Sequence, residues 1–240
     1  RDPTIRNVHS YMNINNSKAG ARVGGILGHS NDASTIYVDR CTYSGTLDGN
    51  DSGGNGNYGG IVGYTQTATS TVCNISNCLF DGKLKNSAAT PGDCTFGGMV
   101  GYIGAGPKVT ATNCLSIGTV QSKITGQFYG AVKNTTCSIV NSYYQGTYVN
   151  GSASTVTLPT QQATKVTDAQ LASGETCVKL GEAFRQLLGS NAYPVLDNIK
   201  PSVYELDVTD VGYATLVPEA NVLALPAGVT AYAGQKIGSY

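Results

Sequence analysis

Short apolar runs that open on a glycine pair punctuate this chain, and they come back. Gly24-Gly25-Ile26-Leu27-Gly28-His29 is followed by Gly59-Gly60-Ile61-Val62-Gly63-Tyr64 and then by Gly97-Gly98-Met99-Val100-Gly101-Tyr102. A worn copy reads Tyr129-Gly130-Ala131-Val132-Lys133. With Gly25, Gly60, Gly98 and Gly130 aligned, the spacings are 35, 38 and 32 residues. A second element follows each copy: Val38-Asp39-Arg40-Cys41-Thr42-Tyr43-Ser44-Gly45-Thr46-Leu47, Ile75 through Leu84, Ala111 through Val120, and Ile139 through Tyr148. Two elements in fixed order, four times over, predict a repeat architecture.

Each repeat holds only two or three short strands, too few to bury an apolar face alone. Coiling the chain so that copy sits on copy pairs each strand with its equivalent, about 4.8 Å away. Like residues then form columns. Four are expected: Ile36, Cys73, Val109 and Cys137; Val38, Ile75, Ala111 and Ile139; Leu47, Leu84, Val120 and Tyr148; and Leu27, Val62, Val100 and Val132. Gly25, Gly60, Gly98 and Gly130 are read as a corner or a close backbone approach that admits no side chain. On this reading Ile75→Asp is strongly destabilising, because it buries an unpaired charge between coils. Asp51→Ala, in a loop, is expected to be nearly neutral.

The Gly-Gly-Ile-Val-Gly-Tyr and Asn-Cys-x-x-x-Gly-x-Leu/Val pairs resemble the GLUG-motif repeats of large bacterial surface proteins, notably those of Bacteroides-type gut bacteria. The resemblance covers about residues 5 to 200 and implies a right-handed parallel β-helix, with little said about chemistry. The fourth copy departs from it, with Ser142 for Cys and Lys133 for Gly. Tyr193-Pro194-Val195-Leu196 adds to the likeness, since such repeats commonly end in a Leu-Gly…Tyr-Pro-Val-Leu segment.

The expected fold is therefore all-β: a parallel β-helix, or solenoid, of about four coils over residues 1–150. A connector and short helical C-terminal cap follow over 151–202, and a trailing β-strand segment over 203–240. Thr167 is a plausible N-cap, with Gln170 three positions on and Gly174 ending the turn. A second short helix is expected from Leu180 to Leu188, closed by Gly189. From Val203 the texture changes to Tyr204–Val208, Tyr213–Leu216 and Val229–Tyr232, read as strands opening a further β-module of the same class of surface protein.

Composition narrows the function classes. Fifteen basic residues balance fifteen acidic ones and only 12% of the chain is charged, so the basic stripe that phosphates require is missing and nucleic acid is a poor partner. No apolar run reaches membrane-spanning length, so membrane insertion by this chain is not expected. The chain opens on Arg1 without a signal-peptide pattern, and is read as a mature or excised piece. An extracellular or cell-surface location is expected from fold and composition alone.

Candidate chemistry is thin. Parallel β-helices host polysaccharide lyases and hydrolases, which need clustered carboxylates. Asp39-Arg40 and Asp81 with Lys83 come nearest, but their equivalents Ser76, Thr112 and Ser116 break any acidic ladder. His9 and His29 lie outside any metal-ligand spacing. The Asp48–Asn57 loop suggests calcium through Asp48, Asn50 and Asp51, yet its twelfth position is Gly59 rather than the Glu of an EF-hand. Cys41, Cys78 and Cys114 share one repeat position, and Cys73 and Cys137 stand where Ile or Val stands elsewhere. The seven cysteines are thus expected to be mostly free, buried thiols. No catalytic, metal or cofactor residues are assigned. The expectation is a non-enzymatic, secreted or cell-surface structural or adhesin-like module whose partner is an extracellular protein or a glycan. The alternatives are a carbohydrate-binding module, with Tyr43, Tyr64, Tyr102 and Tyr144 as stacking surfaces, and a degenerate polysaccharide lyase or hydrolase.

Overall fold

The computed structural model describes residues 2–30, 35–65, 70–122, 124–133, 136–145, 163–188 and 190–196, together with short strands at 207–208, 215–217, 222–224, 229–230 and 232–233. The chain divides into two compact units, Arg1–Val166 and Thr167–Tyr240. The first is a parallel β-solenoid. Its first sheet stacks Thr4–Arg6, Thr35–Asp39, Val72–Ser76, Lys108–Thr112 and Ser138–Val140, and its second stacks His9–Ser10, Thr42–Tyr43, Leu79–Phe80, Leu115–Ser116, Tyr143–Tyr144 and Thr164–Lys165. A third sheet holds Ile14–Asn15, Thr46–Asp48, Lys83–Lys85 and Thr119–Gln121. The fourth holds Arg22–Gly24, Asn57–Gly59, Thr95–Gly97 and Ile124–Gly126, and the fifth holds Leu27–Ser30, Val62–Thr65, Val100–Ile103 and Tyr129–Val132. All pairings between windings are parallel, and each four-stranded sheet spans three turns from its first strand to its last.

The columns form as the repeat predicts. Cys73 lies opposite Ile36 and Val109, Ile75 opposite Val38 and Ala111, and Ala111 opposite Ile139. Leu84 pairs with Leu47 and Val120, and Val62 with Leu27 and Val100. Tyr148 lies outside the described residues. Most of these side chains are fully buried and form one continuous core with Tyr58, Phe80, Phe96 and Phe128. Fully burying one such side chain contributes roughly 1.5–3 kcal/mol, so the solenoid is held by its columns rather than by any single coil.

Two parts of the repeat alignment are corrected. In the fourth copy Val100 lies opposite Tyr129 rather than Val132, which instead faces Ile103. Gly97 lies opposite Gly126, 29 residues on, so the fourth copy is Gly126-Gln127-Phe128-Tyr129-Gly130-Ala131. Gly130 belongs with Gly63 and Gly101, one glycine later in the motif than assigned. Ahead of the first glycine pair, an additional copy of the second element was missed. Ile5, His9 and Ile14 pair with Val38, Thr42 and Leu47, which places Val8 at the Cys position and Met12 at the Gly45 position.

The glycines have a steric cause. A Cβ on Gly25 would sit 2.3 Å from the Gly60 carbonyl oxygen and 2.3 Å from the Tyr43 ring; one on Gly60 would sit 2.2 Å from the Gly98 carbonyl oxygen and 2.5 Å from Phe80. Aromatic rings from the second sheet thus fill the space where these residues would carry side chains.

The bend between first and second sheets is set by residues in left-handed backbone: Asn7, Arg40, Asn77, Asn113 and Asn141, with φ from 42° to 58°. Asn tolerates this region better than most residues because its amide can bond locally. Here the amides bond between coils. Asn141 Nδ2 donates to Asn113 Oδ1 (2.8 Å), Asn113 Nδ2 to Asn77 Oδ1 (3.4 Å) and Asn77 Nδ2 to Asp39 Oδ1 (2.8 Å).

In the second unit, helix α1 (Asp168–Ala172) starts as expected: Thr167 accepts from the Gln170 backbone, and the Gln170 side chain returns to the Thr167 amide. Helix α2 is Glu175–Leu180, not Leu180–Leu188. Gly181, at φ 88°, ends it, and Phe184–Leu187 is a strand paired antiparallel with Val195–Leu196 and with Tyr232–Ala233. The strand wins because Phe184 and Gln186 alternate inward around exposed Arg185, and because Gln186 Nε2 serves the Leu171 and Asn191 carbonyls at 2.7 and 3.0 Å. Gly189 lies outside the described residues. Asp207–Val208 pairs with Val229–Thr230, and Thr215–Val217 with Val222–Ala224, so the trailing segment is a set of antiparallel strands.

Candidate functional site

The four nominated tyrosines do not form one surface. Tyr43 is fully buried, its hydroxyl donating to the Met12 carbonyl at 3.0 Å and its ring lying parallel to Phe80, so it has no face to offer a ligand. Burial pushes its phenol up to about 12. Tyr144 is half-buried in the second sheet between Ser116 and Lys165. Tyr64 and Tyr102 do come together, in the fifth sheet. Their rings stack at 5.4 Å and 14°, and His29 continues the row with its ring 4.9 Å from Tyr64. Arg22 places its guanidinium 4.2 Å from the Tyr64 ring centroid, a cation–π contact. The faces of Tyr64 are therefore taken by protein. The fourth coil supplies Ala131 opposite Tyr102 and ends the row.

The carboxylates nominated for chemistry are tied into the frame. Asp39 pairs with Arg6 at 3.0 Å and accepts from Ser76 Oγ (2.7 Å) and from Asn77. Asp81 accepts from Ser44 Oγ at 2.5 Å. Asp48 is buried beside Lys85 (3.0 Å) and accepts from Ser87 Oγ (2.6 Å), the Ser87 amide and the Asn50 amide. Burial alone would raise its carboxyl, but the Ser87 hydroxyl, Lys85 and the two amides outweigh burial and hold it below the usual carboxylate range.

Asp51 departs furthest from expectation. It is 1% exposed, not a solvated loop residue. Its carboxylate accepts from the Gly20 amide (3.0 Å), the Gly53 amide (2.8 Å) and the Tyr58 hydroxyl (3.1 Å). Its backbone exchanges hydrogen bonds with the Asn86 side chain. The Asp48–Asn57 loop is thus pinned to the first coil through the Asp51 carboxylate and to the third through the Asp51 backbone. Tyr58, buried first of all and then beside that charge, has its phenol held well above the ordinary value.

An open polar cleft of about 440 Å³ lies beside this loop, lined by Ser52–Asn55 and Thr90–Asp93. Three of its eight lining residues are glycine. Among the described residues no group of three or more His, Cys, Asp or Glu side chains is placed to hold a metal ion. No helix among them is long and apolar enough to cross a membrane.

All seven cysteines are free and buried. Cys41, Cys78 and Cys114 stand in one column, each thiol directed at the carbonyl two residues before it, at 3.3, 3.1 and 3.3 Å. Burial pushes the Cys73 and Cys177 thiols up to about 12 and Cys94 to about 11. Such thiols are poor nucleophiles at neutral pH. The asparagine row and the Asp51 hub are the polar constellations that residue-by-residue reading missed. The Asn-Cys pair recurring in the second element was the available signal for the first; nothing local marks the second. Comparison with known families, curated proteins and solved structures finds no match for this chain.

Proposed function

We propose that this chain is a non-enzymatic structural or adhesin-like module of a secreted or cell-surface protein, a member of the GLUG-motif repeat class it resembles. One observation supports the reading above others: the carboxylates that could do chemistry are engaged in holding loops and coils. Asp39, Asp48 and Asp51 each carry three or more hydrogen bonds or ion pairs to the protein itself. A general acid or base must instead keep an oxygen within reach of substrate. The contacts of Tyr64 with Tyr102, His29 and Arg22 speak against that ring as a sugar platform, which needs an open face.

Two measurements test this. Incubation with a panel of polysaccharides, read by reducing-end release, is expected to give no turnover; turnover abolished by Asp39→Asn or Asp81→Asn would reverse the conclusion. Antibody labelling of intact cells of the source organism is expected to reach the protein without permeabilisation.

A further inference from the structure

We propose that Tyr64 and Tyr102 form an oxidative cross-linking site, at which a peroxide-driven one-electron oxidant couples the two phenol rings into dityrosine and staples the second winding to the third. This rests on ring geometry and stands independently of the surface-module reading.

The fifth sheet makes the two residues direct parallel partners, so their Cα atoms stand about 4.8 Å apart. Their rings stack with centroids 5.4 Å apart and planes 14° from parallel. Other aromatic columns are stacked too, but lack the chemistry. Tyr43 lies parallel to Phe80 at 6.4 Å, and Tyr58 stacks on Phe96 at 4.6 Å. Phenylalanine has no hydroxyl from which a phenoxyl radical can form, and Tyr43 and Tyr58 are fully buried. Tyr64 and Tyr102 are half-buried. An oxidant can draw an electron from either ring at the surface while the fold holds its partner beside it.

The rest of the chain offers little competition. It contains no tryptophan, so tyrosine is its most easily oxidised aromatic group. All seven thiols are buried, and burial pushes Cys73 and Cys177 up to about 12, which keeps them from reacting as thiolates. From the preceding winding, His29 stands with its ring 4.9 Å from Tyr64 and Arg22 with its guanidinium 4.2 Å from that ring's centroid. Neither is a phenol. A radical formed on Tyr64 therefore meets Tyr102 first.

The step balances without a cofactor held by the protein. Each phenol gives up one electron and one proton. Burial, and then Tyr64, hold the Tyr102 phenol above its ordinary value, so at neutral pH the electron leaves together with the proton. The unpaired electron of a phenoxyl radical is shared with the ring carbons Cε1 and Cε2, and the new bond joins one such carbon from each ring. Those carbons then release their hydrogens as protons while the two oxygens regain theirs. In sum, two tyrosines and one hydrogen peroxide give one dityrosine and two waters. Closing the bond requires the rings to hinge about Cβ–Cγ until their edges meet, a movement open to half-buried rings and denied to Tyr43 and Tyr58 in the packed core. Because the partner is already in place, coupling outpaces encounters between dilute molecules. The finished bond restricts the unfolded chain as a disulfide does.

Intact protein at low micromolar concentration, treated with a haem peroxidase and hydrogen peroxide, provides the test. Dityrosine fluorescence is expected in the monomer fraction. Peptide mapping of that fraction is expected to find the Tyr64 and Tyr102 peptides joined, lighter than their sum by two hydrogen atoms. Tyr102→Phe keeps the ring stack; it is expected to lower the monomer fluorescence more than about tenfold with a melting temperature within about 2 °C of wild type. Tyr37→Phe, at an exposed position of the first sheet, is expected to leave the fluorescence unchanged. Dityrosine found only in covalent dimers, a monomer cross-link that maps to other tyrosines, or fluorescence undiminished by Tyr102→Phe overturns the proposal.

Discussion

Replacing Asp51 by Ala tests the claim that one buried carboxylate helps fix the Asp48–Asn57 loop. The three donors it serves are not equivalent. Gly20 and Gly53 are exposed, so water can take over their amides, and each bond lost there costs about 0.5–1 kcal/mol. The Tyr58 hydroxyl is buried, with only the Gly49 carbonyl at 3.4 Å as a second acceptor. Losing a charged partner in that setting costs about 1.5–3 kcal/mol. The sum is about 2.5–5 kcal/mol of destabilisation. For a unit of this size it corresponds to a melting temperature lower by about 5–20 °C. Urea and thermal unfolding followed by far-UV circular dichroism give the number, with exposed Glu182→Ala as the reference substitution. A cycle with Tyr58→Phe isolates the central bond, and a coupling of about 1–2 kcal/mol is expected. An Asp51→Ala protein within about 0.5 kcal/mol of wild type would refute the hub and return the loop to a solvated role.

Other outcomes follow from the same frame. Ile75→Asp places a carboxylate in the fully packed column between Val38 and Ala111; a loss of more than about 4 kcal/mol or failure to fold is expected, read by urea titration or soluble yield. Asn77→Ala removes two rungs of the amide row and puts Ala at φ 51°. It should cost about 2–3 kcal/mol in urea unfolding, and Asn77→Gly distinctly less. Asp48, held below its ordinary value, contributes stability that is complete above its unfolded value of about 3.9 and is lost as pH falls through the lower folded value. Ser87→Ala should therefore move the acid-unfolding midpoint to higher pH. The raised thiols act in the opposite sense. Cys73 and Cys177 at about 12 and Cys94 at about 11 add stability below about pH 8.5 that erodes as pH rises toward those values. Ellman's reagent at pH 8 should be slow with the native protein and count seven thiols after unfolding.

What the residues announced and what they hid divides along physical lines. Stacking in register makes columns, and columns make periodic identity, so Val38, Ile75 and Ala111 could be matched by eye before any coordinates. The first coil escaped because Val8, Tyr11 and Met12 stand where Cys41, Ser44 and Gly45 stand in the next one, so the motif's Cys and Gly are missing from it. The last coil misled through a near match. Gln127 replaces the second glycine, and Gly130 then offers a false match three residues downstream. Asp51 looked dispensable because loop residues carry no period, and its three partners come from two separate stretches of chain. The tyrosines were legible as aromatic positions, but whether a ring shows a face or an edge depends on what the next coil places against it.

The asparagine row has one more implication, for how such a molecule can change length. Donors run in a single direction, from Asn141 through Asn113 and Asn77 to a carboxylate neutralised by Arg6. Each rung is satisfied by its neighbour and asks nothing of the loops between. Excising one whole period, such as the 36 residues separating Ile75 from Ala111, brings equivalent partners into contact and heals every sheet at once. Cutting a single residue inside a period misaligns all of them. Genetic drift in this protein should therefore proceed in full coils or in loop tips, and seldom in between.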